Sequence, residues 1–154
     1  NGHAIAGGGI LVLACDQRIM ARGKARIGLT EIQVGVPFPA WALEIARFAT
    51  PPEHFQTLIM TGRTWTADEA LARGLVDEVV EAEQLESRAL EVAEELGALL
   101  PETFAASKLA VRRPLFEAVA ASAANEAAVQ RAWTSPAVAE RMRQFIEKNI
   151  GKKG

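Results

Sequence analysis

Two patterns predict an α/β core over residues 1–82 followed by an α-helical region over residues 83–154. Up to about residue 80, short runs of helical and extended character alternate, as they do in layered α/β units. From Glu83 onward the apolar repeats are helical only, at three- and four-residue spacing. With 49% hydrophobic residues in 154, the chain can fill one sizeable core.

The core opens on His3 to Ala6, which reads as buried structure, and then on Gly7-Gly8-Gly9. Glycine inside a helix costs on the order of 1 kcal/mol relative to alanine, and much less at its N-terminal edge. The apolar run from Ile10 to Cys15 follows and closes on Asp16, which predicts a helix over residues 7–15. The first-turn N–H groups of such a helix are unpaired donors at the positive end of its dipole. Without a Cβ in the way, another group can approach them closely, which is the apparatus of an anion or oxyanion site. Glycine can equally serve to relieve crowding in a tight strand-to-helix turn. On these residues alone that is the commoner case.

Residues 17–21 alternate polar and apolar side chains, as a half-buried strand does. Arg22-Gly23-Lys24 makes a turn, and residues 25–29 resume in extended form. Thr30-Glu31 ends that strand, and residues 32–36 are short and apolar. Glu31 is therefore a carboxylate at a strand-to-loop transition with apolar neighbours on both sides. Such a place raises a carboxyl pKa toward neutrality and suits a general base. A capping or salt-bridged glutamate is the commoner role.

Pro37-Phe38-Pro39 interrupts the pattern, and residues 41–49 read as a helix. Pro51-Pro52 opens the next one, which runs to Thr61 with Gly62 as its C-terminal cap. Thr66-Ala67-Asp68-Glu69 is a capping box whose helix stops at Arg73-Gly74, before a valine-rich strand over residues 75–80. In the helical region Leu85, Ala89, Val92, Leu96 and Leu99 share one apolar face with acids opposite. Pro101 breaks that helix, a second follows through Lys108 and Val111, and a third covers roughly residues 122–133. Ser135-Pro136 opens the last, which passes through Phe145 and Lys148. Phe104, Leu109, Leu115, Phe116, Trp133 and Phe145 need something to pack against. A cap on the chain's own core and a subunit interface both fit.

Several function classes fall away. Net charge is −2, with eleven acids and two bases over residues 66–102 against nine bases and four acids over residues 103–154. A basic end without interleaved aromatics is a poor nucleic-acid signal, and a phosphate-bearing small ligand is the sharper reading of it. Cys15 is the only cysteine, so no disulfide framework or cysteine-based metal site is expected; inside an apolar run, it reads as an inert core thiol. His3 and His54 are too isolated to form a metal site. No stretch has the length of a membrane span or the layout of a signal peptide, which points to the cytoplasm, with the mitochondrial matrix or peroxisome as eukaryotic alternatives. The chain starts at Asn1, in what already reads as core, and is expected to be the later portion of a longer protein.

The run Asn1-Gly2-His3-Ala4-Ile5-Ala6-Gly7-Gly8-Gly9, then Ala14-Cys15-Asp16-Gln17-Arg18-Ile19, then Gly28-Leu29-Thr30-Glu31, resembles the enoyl-CoA hydratase/isomerase (crotonase) superfamily. Thr61-Gly62-Arg63, Ala67-Asp68-Glu69-Ala70 and Gly74-Leu75-Val76-Asp77 match its next block, in order. The ordered set is far more specific than any one motif, and it reverses the reading of the glycines. The resemblance implies the second half of a ββα spiral core with a helical end that forms trimers, or dimers of trimers. It also implies an acyl-CoA thioester as substrate, CoA being part of that substrate and no separate cofactor being needed. Gly8 would supply one of two backbone N–H groups to an enolate, with Gly7 beside the substrate. The other donor would lie upstream of this chain, so the chain alone is expected to be inactive.

Hydratases of the superfamily carry one glutamate matching Glu31 and another two residues after the last glycine, where this chain has Leu11. Two carboxylates suit the addition of water, one activating it and the other supplying a proton. One carboxylate suffices for moving a proton. The sequence from Ile27 to Gly35, and Arg18-Ile19-Met20-Ala21, resemble the mitochondrial-type Δ3-Δ2-enoyl-CoA isomerases more closely. The superfamily's Pro-Gly-x-Gly-Gly loop is replaced by Pro37-Phe38-Pro39-Ala40-Trp41, whose apolar Pro37, Phe38 and Trp41 would line an acyl pocket or simply pack. Phe145 and Lys148 match positions that reach CoA, although a solvated helix-end lysine explains Lys148 as well. Isomerisation is the expected activity. Hydration or another one-glutamate reaction, and a silent acyl-CoA-binding subunit, are the alternatives.

Overall fold

Five short strands form two sheets in the computed structural model, which describes residues 1–122 and 126–149. Strands β1 (Ala4–Ile5), β3 (Ile27–Gly28) and β4 (Thr64–Trp65) make the first sheet, in that order. Strands β2 (Ile19–Ala21) and β5 (Glu78–Val80) pair in parallel as the second. Pairing is parallel between β1 and β3 and antiparallel between β3 and β4. The chain thus passes from the first sheet to the second and back, which is the winding expected of a spiral α/β core. Helices α1 (Gly7–Leu13), α2 (Ala40–Ala49), α3 (Pro52–Thr61) and α4 (Ala67–Leu71) cover it. Ile10, Leu29, Leu58, Leu75 and Val76 are the largest of its fully buried side chains.

The sheets meet their neighbours at close quarters. A Cβ on Gly28 would stand 2.4 Å from the Arg63 carbonyl oxygen and 2.9 Å from Thr64 Cα, both on the adjoining backbone. Backbone cannot swing aside as a side chain can. Gly28→Ala is therefore expected to force β3 and β4 apart and cost about 1–3 kcal/mol, read as a lowered thermal-unfolding midpoint. Arg18, another motif residue, is structural: its guanidinium makes a two-pronged pair with Asp77 at 2.7 and 3.0 Å and donates to the Ala49 carbonyl at 3.0 Å. That contact ties β2 to the end of α2 and to the entry of β5.

The helical end comprises α5 (Leu85–Gly97), α6 (Pro101–Ala121), α7 (Glu126–Trp133) and α8 (Pro136–Asn149). Pro101 stands in the first turn of α6, where its missing N–H has no cost. Pro114 sits inside α6 without ending it, at the loss of one backbone bond, so α6 runs well past Val111. These helices fold back on the chain's own core. On α6, Arg112 donates to the Ala14 carbonyl at 2.9 Å and to Asp16 at 2.7 Å, and Lys108 pairs with Asp16 as well. On α7, Trp133 Nε1 donates to the Pro37 carbonyl at 2.9 Å, while the Glu126 carboxylate accepts from the Ala40 N–H at 3.3 Å. The cap on the core is thus realised within one chain, while Leu109 and Phe116 of α6 face outward.

Two readings of the sequence need correction. Cys15 is exposed, not a core thiol, because α1 ends at Leu13, its last buried residue. Its Sγ lies 3.3 Å from the Leu11 carbonyl. The extended segment after Gly74 is shorter than residues 75–80: Leu75 and Val76 are buried in the turn, and pairing starts at Glu78.

Candidate functional site

The register of the first sheet sets the site. Ile5 pairs with Gly28 across β1 and β3, and both strands run the same way. Gly8 lies three residues beyond Ile5, and Glu31 three residues beyond Gly28. Parallel strands leave a sheet at one common edge, so the first turn of α1 and the one-turn 3-10 helix Glu31–Val34 begin there side by side. The carboxyl edge of such strands is where α/β proteins hold ligands.

A single residue, Ala6, turns the chain from β1 into α1. Its N–H donates to the Gly28 carbonyl at 2.9 Å and its carbonyl accepts the Ile10 N–H at 3.1 Å. Its torsions, φ 54° and ψ −126°, make it the one non-glycine residue with positive φ among the described residues. Ala6 offers no side-chain acceptor to the helix start. The first-turn N–H groups of Gly7 and Gly8 therefore keep their donor capacity.

The three glycines divide by environment. A Cβ on Gly9 would meet Leu29 Cδ2 at 2.9 Å, the Gly28 carbonyl oxygen at 3.0 Å and the Ala4 carbonyl oxygen at 3.2 Å. Gly9 is glycine because α1 lies directly on β1 and β3. Nothing stands within 4 Å of a Cβ placed on Gly7 or Gly8. Relief of crowding explains the third glycine and neither of the first two.

Glu31 is only 7% exposed, and its Oε2 has no hydrogen-bond partner. Burial pushes its pKa above the ordinary value of 4.5, a hydrogen bond to its own backbone working the other way. Among the described residues it neither caps a helix through its side chain nor forms a salt bridge. Helices α3 and α8 cover the 3-10 helix that carries it. Gln33 Nε2 holds that helix in place by donating to the Gly62 carbonyl at 2.8 Å. Gly35, at φ 78°, ends it under the Arg141 side chain of α8.

Leu11 projects from α1 and is 73% exposed, whereas its neighbour Ile10 is 2% exposed. The structure does not bring Leu11 into the buried surroundings of Glu31. Both positions are hydrocarbon, so neither supplies a second carboxylate. Phe38 is half-buried and packs against the core, and Pro37 is half-buried with its carbonyl engaged by Trp133. Trp41 turns elsewhere: with Phe48, Phe104 and Phe116 it lines a groove of about 700 Å³ between α2, α6 and the end of α1. Gly7, Gly8 and Glu31 are not among the residues of that groove. Phe145 is half-buried on α8. Lys148 falls on α8 too, with its side chain outside the described residues. Among the described residues no cluster of histidine, cysteine or acids could hold a metal ion, and no helix is long and apolar enough to cross a membrane.

The sequence does not single out Ala6 or Gln33. Ala6 leaves a faint signal: with an extended pattern before it and a glycine-led helix after it, one residue must make the whole turn. Gln33 leaves none, because its partner is a backbone carbonyl of another helix.

A sequence model of the enoyl-CoA hydratase/isomerase family matches residues 1–152. The (E)-benzylidenesuccinyl-CoA hydratase of Thauera aromatica is 36% identical over 110 residues, which are 71% of this chain and 43% of that protein. The mitochondrial enoyl-CoA delta isomerase 1 of Mus musculus is 37% identical over 93 residues, 60% of this chain and 32% of that protein. The solved structure of an enoyl-CoA hydratase/isomerase from Pseudoalteromonas atlantica superposes with a TM-score of 0.83 at 29% identity, over 96% of this chain and 59% of that one. The matched stretches thus span 43% and 32% of the length of these two curated relatives.

Proposed function

The chain belongs to the enoyl-CoA hydratase/isomerase family, and we propose that within it Glu31 is the lone acid/base of an enoyl-CoA isomerase. The observation that carries this reading is a buried carboxyl with one oxygen unpartnered among the described residues, at the same sheet edge as the first turn of the glycine-led helix α1. Hydrocarbon at both Ile10 and Leu11 supports one carboxylate in place of two.

The steps balance without water or a cofactor. The Glu31 carboxylate takes a proton from the carbon between the thioester carbonyl and the double bond. The electron pair of that C–H bond moves toward the carbonyl and leaves a dienolate. The Gly8 N–H donates to its oxygen, where charge has developed, with Gly7 beside the substrate. The Glu31 carboxylic acid then returns the proton to the γ carbon, and the double bond is left conjugated with the thioester. A buried base with a raised pKa is suited to both transfers, because burial makes its acid form persist to higher pH than that of an exposed carboxyl.

The test is a parallel assay of the full-length protein on a 3-enoyl-CoA and a 2-enoyl-CoA, with migration and hydration followed separately. Migration is expected to dominate. Hydration of the 2-enoyl-CoA at a comparable or greater rate would overturn the isomerase reading and favour the chemistry named for the hydratase relative.

A further inference from the structure

We infer that Gln33 is a positioning residue that holds the Glu31 carboxyl in place for both proton transfers, an inference resting on the isomerase chemistry proposed above. Helix α3 ends at Thr61, and Gly62 caps it in the left-handed region at φ 61°. The last carbonyls of a helix have no partner within it. Those of Thr61 and Gly62 find one in Gln33, whose Nε2 donates to the Gly62 carbonyl at 2.8 Å and to the Thr61 carbonyl at 3.3 Å. An amide nitrogen carries two hydrogens, so one side chain can serve both. The end of α3 is thereby fixed to the 3-10 helix that starts at Glu31.

The two elements meet without slack. A Cβ on Gly62 would stand 2.8 Å from Gln33 Cγ, 3.1 Å from Gln33 Nε2 and 3.1 Å from Ile32 Cγ2. At its other end the 3-10 helix stops at Gly35, where a Cβ would lie 3.4 Å from Arg141 Cγ of α8. Successive residues of a 3-10 helix stand about 120° apart around its axis, so Glu31 and Gln33 leave it in different directions. Residue 31 is accordingly buried and residue 33 exposed. The Glu31 carboxyl has no other side chain to hold it: its Oε2 is unpartnered, and its hydrogen bond is to its own backbone. Its place is therefore set by the turn of backbone that carries it, and Gln33 anchors that turn. A group that takes a proton from one carbon and returns it to another depends on placement, and an error of about 1 Å costs roughly a hundredfold in rate. Gln33 acts through Glu31 and need not touch the substrate.

The experiment measures steady-state kinetics against pH on the full-length protein with a 3-enoyl-CoA. Gln33→Met keeps the length of the side chain and its packing on Gly62 but has no donor. Gln33→Asn keeps the amide and falls one methylene short of the α3 carbonyls. Both should remain folded by circular dichroism, because residue 33 is exposed. Each should lose at least roughly tenfold in kcat, with KM changed less than about twofold. The acid limb of kcat/KM reports the free protein. Burial holds the Glu31 pKa above 4.5, so a loosened 3-10 helix that admits water should move that limb to lower pH. Residues 58–61 of α3 carry no charge, α8 sets Arg141 against Gly35, and neither substitution alters a charged group. A purely structural role would move the unfolding temperature alone. Gln33→Met with unchanged kcat and an unmoved limb would overturn the inference. So would Gln33→Asn that matches the unsubstituted protein in both, and this arm holds even if the methionine variant fails to fold. If Glu31→Gln still migrates the double bond, the proposed function falls and this inference with it. An inactive Glu31→Gln beside a fully active Gln33→Met sinks only the role of Gln33.

Discussion

Glu31→Gln is expected to abolish double-bond migration while leaving acyl-CoA binding within a few-fold of the unsubstituted protein. Glutamine has nearly the same volume, so the covering by α3 and α8 need not change. What it lacks is an exchangeable carboxyl proton. Removing a general acid/base costs about 10²–10⁴ in rate, and here one group is asked to serve both transfers. The fall should appear in kcat, with binding followed separately by titration calorimetry. A variant that still migrates the double bond would end the assignment.

The same substitution has a stability signature. Burial raises the Glu31 pKa above 4.5. Between that value and the folded one, the unfolded chain has released a proton that the folded protein still holds. Stability from this group is therefore complete below about pH 4.5 and is lost as pH rises through the folded pKa. Over that window the unsubstituted protein should lose unfolding temperature relative to Glu31→Gln, which has no charge to desolvate. Activity should move the opposite way, rising with pH as the carboxylate forms, on a limb displaced above the ordinary carboxylate range. Parallel melting curves against pH would show it, and equal slopes for the two proteins would contradict the buried charge.

Local chemistry was legible and long-range covering was not. Thr66 and Glu69 form the capping box their spacing announces, the Thr66 N–H donating to the Glu69 carboxylate at 2.9 Å. Gly62 caps α3 at φ 61°, as a glycine after a helical run should. The place of Glu31 at a strand end follows from the alternation before it. Its lack of a partner does not, because that depends on helices far along the chain closing over it. Cys15 shows another limit: an apolar run says that a helix packs, but not where it ends or which face it buries. Leu11, counted from the last glycine, stands on the exposed face of α1 while Ile10 turns inward, a phase that a run of apolar residues does not reveal. Trp41 was read beside Phe38 because the two are near in sequence. In the structure it lines a groove with residues along α6 and at the end of α1.

Gly8→Ala and Gly9→Ala, one residue apart, are expected to fail in opposite ways. At Gly9 the new methyl would press on the Gly28 carbonyl oxygen at 3.0 Å and on the fully buried Leu29 at 2.9 Å. Helix α1 would have to lift from β3, at a cost of about 1–3 kcal/mol in thermal unfolding. At Gly8 no described atom outside its chain neighbours and the backbone of its own helix lies within 4 Å of the methyl, so the fold should be as stable as before or up to about 1 kcal/mol more so. A Cβ on a helix tilts toward the N-terminus, however, and from Gly8 it would enter the space in front of the first-turn donors. The thioester oxygen could then no longer reach them squarely, and kcat/KM should fall by roughly 10²–10³, the typical loss for one oxyanion donor. Gly7→Ala should behave like Gly8→Ala. Melting curves and kinetics on the same three preparations separate the two effects, because crowding acts on the fold whether or not substrate is present. A stable, fully active Gly8→Ala protein would mean that nothing approaches those N–H groups, and the enolate would need another home.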